Sequence, residues 1–342
     1  MPFQKHLDGL IIKGKAKLKE FTGDQNQPPA QNQYPQQQYQ QPGHYQQHQY
    51  QQPNQYQQPQ PQQGYGVPPP IPYGSRPGGA QQQQGPNVYW QAAFNPQTPV
   101  NQIFEQETGD HGWGNNESQN YTSEPQNSFF TPDNKLVIRG IVQTSAPSNK
   151  YTSARLITHQ KLDRQRGCLS AVVSAPCAPG IWPAFWLLPK KPFAWPTDGE
   201  VDIFESWNGD CVNHSCLHWG HFNGEDSQKH RVVDTPIPSM AHQAQVMAFA
   251  WDQPEDGRGG RMVWYINGGV VMKADNPPGT RRLSEWNVIL NVAMGGNVCG
   301  GKLPGDGQYD FVVHELKLMD EPLGGWNQFG ADWQRGREGK TM

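Results

Sequence analysis

Three carboxylates stand within six residues at Glu200-Val-Asp-Ile-Phe-Glu205. The apolar residues between them read as a β-strand. Strand side chains alternate faces, so Glu200 and Asp202 project the same way. Glu205 is five positions from Glu200 and falls on the opposite face of a regular strand. One β-bulge adds a residue and returns Glu205 to the first face. Four effective strand steps of roughly 3.3 Å then put the two Glu α-carbons about 13 Å apart. Side chains leaning inward close most of that gap, toward the roughly 5–5.5 Å carboxyl separation of a double displacement at an anomeric carbon. Two carboxyls that close do not both ionise easily, so one keeps its proton and serves as the acid while the other attacks. A helix offers no such arrangement, because residues five apart diverge around its circumference. The plainer reading of the six residues is the polar face of an antiparallel edge strand.

The flanks favour the chemical reading. Gly180-Ile-Trp-Pro-Ala-Phe-Trp-Leu-Leu-Pro189 lies upstream, Trp195 precedes Glu200 by five residues, and Trp207 follows Glu205 by two. Sugar rings stack their C–H faces on flat aromatic surfaces, whereas a plain polar strand has no need of tryptophans on both sides.

The elements that must hold these residues are short strands broken by Gly, Pro, Asn and Asp. They run over 135–142, 168–174, 245–251, 261–266, 285–292 and 309–318. Asn267-Gly268 is a hairpin signal. Long helical periodicity is missing, and many antiparallel strands over about 235 residues predict a sandwich or jelly roll. The net charge of −3 supplies no field for nucleic acid. No 18-residue apolar stretch predicts a transmembrane segment, and no apolar core of a signal peptide follows Met1. The expected location is therefore cytoplasmic, or outside the cell by an unconventional route.

Four segments divide the chain. Residues 1–24 read as a short basic amphipathic helix weakened by Gly9 and Gly14, making at most a weak membrane-surface or protein contact through residues 3–21. Residues 25–86 are mostly Gln, Pro, Tyr and Gly with one charged residue, Arg76, and read as a disordered linker. Residues 87–323 have ordinary composition and form the predicted catalytic domain. Residues 324–342 are Gly- and Arg-rich and read as a flexible tail.

Glu200-x-Asp-x-x-Glu205 resembles the bulged signature of glycoside hydrolase family 16, which includes laminarinase-like endo-β-1,3(4)-glucanases. The blocks Gly112–Thr122, Tyr151–Arg155, Gly180–Pro189, Leu217-His218 and Ile289–Gly296 also resemble family segments in order and spacing, over roughly residues 90 to 320. The resemblance implies an all-β, concanavalin-A-like jelly-roll sandwich whose open groove takes a β-glucan polysaccharide. By the same resemblance Glu200 is the nucleophile, Glu205 the acid/base, and Asp202 the residue that tunes Glu200. Trp182, Trp186 and Trp195 would line sugar subsites, with Trp186 and Trp195 facing the groove. His218 would sit near the scissile bond, and Arg155 and Asn291 complete the expected substrate-binding set. Glu117, Gln119 and Tyr121 read as supports for a loop. The implied function is endo-hydrolysis of β-1,3- or mixed β-1,3/1,4-glucan with retention of configuration. The alternatives are a cell-wall glucan transglycosylase, which more often carries a shorter Glu-x-Asp-x-Glu form, and a glucan-binding module, which would lack the acids.

No cofactor or metal is expected. His314 stands where many relatives place an acidic residue of a structural calcium site, and calcium prefers oxygen ligands. Cys211, His214, Cys216 and His218 fit no common zinc spacing. Cys211 and Cys216 are the candidates for a small-loop disulfide in an oxidising compartment.

Overall fold

The computed structural model describes residues 85–221, 229–256 and 258–341. The expected basic helix over 1–24 and, but for Gly85 and Pro86, the Gln-rich linker over 25–86 lie outside the described residues. The remainder forms a two-sheet jelly roll.

The first sheet runs, in order of pairing, through Gly269–Asp275, Arg261–Ile266, Gln245–Asp252, Arg166–Ser174, Gly307–Met319, Leu136–Val142, Tyr151–Ser153 and Asn120–Tyr121. Val88–Gln91 and Ser128–Phe130 add to Gly307–Met319 and Leu136–Val142 off that path. The second sheet runs Lys340–Thr341, His230–Pro236, Val212–His218, Glu200–Glu205, Ile181–Pro189, Trp286–Met294, Arg155–Lys161 and Phe104–Glu107. Adjacent strands are antiparallel except Asn120–Tyr121 against Tyr151–Ser153. The hairpin expected at Asn267-Gly268 joins Arg261–Ile266 to Gly269–Asp275, with φ of 51° and 77°, a pairing of positive values that Asn-Gly tolerates best.

The core lies between the sheets. Phe185, Leu187, Val201, Ile203, Phe204, Leu217 and Leu290 of the second sheet meet Leu136, Ile138, Leu169, Phe249, Trp251 and Trp264 of the first. Each such side chain contributes about 1.5–3 kcal/mol by leaving water. Phe204 stacks on Phe311 across the gap, with centroids 5.7 Å apart. The acids therefore occupy the opposite face of the second sheet, turned away from this core.

The C-terminal segment differs from the expected flexible tail. Gly325–Arg335 is an α-helix. Its Phe329 is fully buried, packing with Cys168, Ala250, Val263, Tyr265 and Met319, and Trp326 and Trp333 lie beside it. The cause is spacing: Trp326, Phe329 and Trp333 recur at i, i+3 and i+7, one face of a helix. Beyond the helix, Lys340–Thr341 pairs with Arg231 and Val232, at the edge of the second sheet. One segment thus reaches from the outer face of one sheet to the edge of the other.

Candidate active site

The strand bearing the acids is bulged where the spacing requires. Against Ile181–Pro189, Asp202 pairs with Trp186 but Phe204 pairs with Phe185, which leaves Ile203 as the extra residue. Ile203 and Phe204, although consecutive, both enter the core, as does Val201. Asp202 and Glu205 consequently join Glu200 on the other face. The surplus residue disturbs the ladder locally, and the burial of both Ile203 and Phe204 offsets that cost.

Glu200 is partly exposed and accepts a hydrogen bond at Oε2 from Trp195 Nε1 at 2.5 Å. Its strand partner across the next strand is His218. Glu205 is buried and accepts from two indoles: Trp182 Nε1 at 2.7 Å on Oε1, and Trp207 Nε1 at 3.4 Å on Oε2. The backbone N–H of Glu205 donates to Asn213 Oδ1 at 3.2 Å, and Cys216 Sγ lies 3.8 Å from its Oε2. Asp202, between the two, is buried with Oδ2 3.3 Å from His218 Nε2. His218 Nδ1 in turn faces His230 Nδ1 at 2.6 Å.

These groups perturb one another. Burial, then repulsion from Asp202, pushes the Glu200 carboxyl up to about 8, against the opposing pull of His218 and the Trp195 N–H. Burial, then Asp202 and Glu200, holds the Glu205 carboxyl well above the ordinary range, and the Trp182 bond only partly counters this. Burial works to lower His218, but Asp202 and the two glutamates outweigh it and push the imidazole up to about 9. Burial and the same carboxylates raise the Cys216 thiol well above its usual value, which keeps it protonated. Both carboxyls are therefore held up, Glu205, the more deeply buried, the more strongly, and His218 is the cation that balances the cluster.

The residues expected to bind substrate divide into two sets. Trp195 is 37 % exposed and Trp186 is half-buried. Trp182 is only 9 % exposed, enclosed with Ala293 and Cys299, and its N–H is committed to Glu205. It therefore positions an acid where a sugar platform was expected. Asn291 is buried and receives the Trp186 Nε1–H at 2.7 Å while donating to Tyr121 Oη at 3.0 Å. Arg155 lies between the rings of Trp186 and Trp113, at 4.6 and 5.0 Å, and donates to Glu107 at 2.6 Å. Arg155 and Asn291 thus fix the plane of Trp186. Glu117 accepts from Gln119 at 2.7 Å and Tyr121 at 3.3 Å, and Gln119 accepts from the Met294 backbone at 2.7 Å, which ties the loop over 112–119 to the strand carrying Asn291.

The cysteine expectations change. Cys211 pairs with Cys177, and Cys216 is a free buried thiol beside Glu205. Alternation in the Val212–His218 strand turns Cys216 toward the acids, out of reach of the turn that carries Cys211. Gly209 (φ 70°) passes so close to Ala178 that a Cβ there would meet its carbonyl carbon at 2.4 Å, which seats Cys211 by Cys177. Of the four residues weighed for zinc, Cys211 is taken by the disulfide and His214 lies between Asp210 and Asp234, while Cys216 and His218 stay together. Among the described residues, Asp202, Cys216 and His218 bring potential ligand atoms within 4.8 Å of one another. Sequence reasoning left Trp207 without a partner and passed over Trp113 and the Asp210–His214–Asp234 cluster. The signal for Trp207 was its distance of two residues from Glu205.

Fold and site together define a class: a jelly roll whose second sheet carries a bulged strand with two tuned carboxyls on its solvent side. Residues 104–253 match the family model described as the XgeA-like catalytic domain of family 16. A glucan endo-1,3-beta-glucosidase of Cryptopygus antarcticus is 30 % identical over 216 residues, covering 57 % of this chain and 76 % of that protein. Glucan endo-1,3-beta-glucosidase A1 of Niallia circulans is 28 % identical over 250 residues, 64 % of this chain, and the match spans only 35 % of that longer protein. The solved laminarinase of Rhodothermus marinus superposes with a TM-score of 0.59 at 25 % identity, over 70 % of this chain and 98 % of its own. The chain belongs to glycoside hydrolase family 16.

Proposed function

We propose that the chain is a retaining endo-glycosidase that hydrolyses β-1,3- or mixed β-1,3/1,4-glucan by double displacement at Glu200 and Glu205. The observation that carries this reading is the Ile203 bulge, which puts both glutamates on one face, where burial and the neighbouring carboxylates raise the more buried one. Family membership and the named activities of the relatives support the substrate class.

In the first step Glu205 gives its proton to the glycosidic oxygen, and a Glu200 oxygen attacks the anomeric carbon. The bond to the leaving sugar breaks and a glycosyl ester forms on Glu200. Trp195 holds the Glu200 carboxylate by Oε2 and orients it. In the second step Glu205, now ionised, takes a proton from water, the hydroxyl attacks the anomeric carbon, and Glu200 leaves. Two inversions give net retention. The indole N–H groups of Trp182 and Trp207 stabilise Glu205 in the charged state it occupies between the steps. Trp186 and Trp195 offer ring faces on which sugars stack.

The test is a panel of laminarin, curdlan, lichenan and agarose, with products identified and the first-formed anomer followed by NMR. Release of β-anomeric oligosaccharides from the β-1,3 substrates is the expected result. Initial α-anomer would overturn the mechanism, and products longer than the starting chains would favour transglycosylation, in which a sugar hydroxyl replaces water. A glucan-binding module is disfavoured because both acids are in place.

A further inference from the structure

We propose that His214 is a positioning residue for Glu205, acting through the stacked ring of Trp207 and anchored by the C-terminal strand. This rests on the reading of Glu205 as the acid/base.

The connection is continuous. Trp207 Nε1 reaches Glu205 Oε2 at 3.4 Å. The Trp207 ring lies flat on the His214 ring, with centroids 3.6 Å apart and planes 7° from parallel. His214 Nε2 faces Asp210 Oδ2 at 2.7 Å, and His214 Nδ1 faces Asp234 Oδ1 at 2.9 Å. The two carboxylates therefore hold the imidazole by both of its ring nitrogens and fix its plane. Near-parallel aromatic rings in contact attract one another. Asp234 is held from its other side by Lys340 and, at its backbone carbonyl, by Arg337 Nη2 at 3.3 Å. Both basic residues follow the C-terminal helix, and Lys340–Thr341 pairs with the neighbouring backbone.

Asp210 fixes the loop as well as the ring. Its Oδ1 accepts from Ser206 Oγ at 3.1 Å and from the backbone N–H groups of Trp207 and Val212 at 3.3 and 3.0 Å. The Cys177–Cys211 disulfide closes the same turn. Trp207 sits on a loop, where an unsupported indole has several rotamers open to it. The stack on His214 selects the one that aims the N–H at Glu205. His214 itself is not among the groups bonded to Glu205, so its effect on the acid passes through Trp207.

The experiment is a double-mutant cycle of His214→Leu and Trp207→Phe, with His214→Arg as the conservative variant. Arg offers a planar guanidinium able to stack and to meet both carboxylates. His214→Leu and Trp207→Phe are each expected to lower kcat about three- to tenfold, the worth of one weak hydrogen bond, with KM within about twofold. The double variant is expected to be no worse than Trp207→Phe alone, and His214→Arg to recover most of the loss. Additive losses, or a loss confined to KM, would overturn the proposal. Lys340→Met, an exposed change, should move kcat the same way by a smaller factor, and no change in it would remove the strand from the pathway.

A second readout is independent of turnover. The indole N–H resonance of Trp207, identified by its loss in Trp207→Phe, should shift in His214→Leu and return toward its place in His214→Arg. If the wild-type protein cleaves none of the four polysaccharides, the hydrolase reading fails while this shift still decides the coupling. An unmoved resonance in a folded His214→Leu protein refutes the positioning whatever the activity.

Discussion

Trp182→Phe is the sharpest probe of how Glu205 is tuned. The change keeps most of the buried ring, which is packed with Ala293 and Cys299, and removes the N–H that reaches Glu205 Oε1 at 2.7 Å. A hydrogen bond to a charged group is worth about 1.5–3 kcal/mol. Because this one favours the ionised carboxylate, its loss raises the Glu205 pKa by roughly one to two units. The acid then stays protonated to higher pH, so the alkaline limb of the kcat/KM profile should move up by about that amount. The acid limb, governed by Glu200 and its Trp195 bond, should hold its place and serve as the internal control. The assay is the pH dependence of kcat/KM on a soluble β-1,3-glucan oligosaccharide, with the folded fraction measured at each pH. A stationary alkaline limb, or one that moves down, refutes the assignment of Glu205 as the proton donor restrained by Trp182.

Further outcomes follow from the same geometry. Glu205→Gln should lower kcat by about 10²- to 10⁴-fold on a natural glucan, and Glu200→Gln by at least as much, as read by reducing-sugar release. Glu200 ionises near about 4.3 in an unfolded chain, but in the fold burial and Asp202 push it up to about 8. The native state therefore holds the extra proton, and stability is lost as pH rises from the first value through the second. Glu200→Gln removes that loss, so the variant should gain on the order of 1–3 kcal/mol at pH 8 and almost nothing at pH 4 by chemical denaturation. Deleting Ile203 gives a regular strand that still places Glu200, Asp202 and Glu205 on one face, whereas inserting a glycine after Phe204 turns Glu205 over. The deletion should retain more hydrolysis than the insertion, and equal activities would contradict the role of the bulge.

Much of this was legible because the strand period is unforgiving. Spacings of two and three among Glu200, Asp202 and Glu205 allow a shared face only with one surplus residue, and Ile203 is that residue. Trp182 was misread as a sugar platform because its enclosure depends on Ala293 and Cys299, more than a hundred residues away, which no local pattern records. The disulfide was misassigned for a similar reason. Cys177 reaches Cys211 only because Gly209 lets two turns touch, while nearness in sequence pointed to Cys216. The C-terminal helix did carry a signal, in Trp326, Phe329 and Trp333, but Gly324, Gly325 and Gly330 masked it. Glycine there costs helix stability that tertiary packing of Phe329 restores.

The C-terminal segment acts as a hasp. It is fastened at one end by aromatic rings behind the first sheet and latched at the other by Lys340 on the rim of the second. Shortening the protein to its apparent hydrolase core at residue 323 would release both ends at once. The separated strand, His230–Pro236, would then become a raw border open to pairing with other chains. Solubility and catalytic efficiency would be expected to decline together in such a truncated protein, from one cut made far from either glutamate.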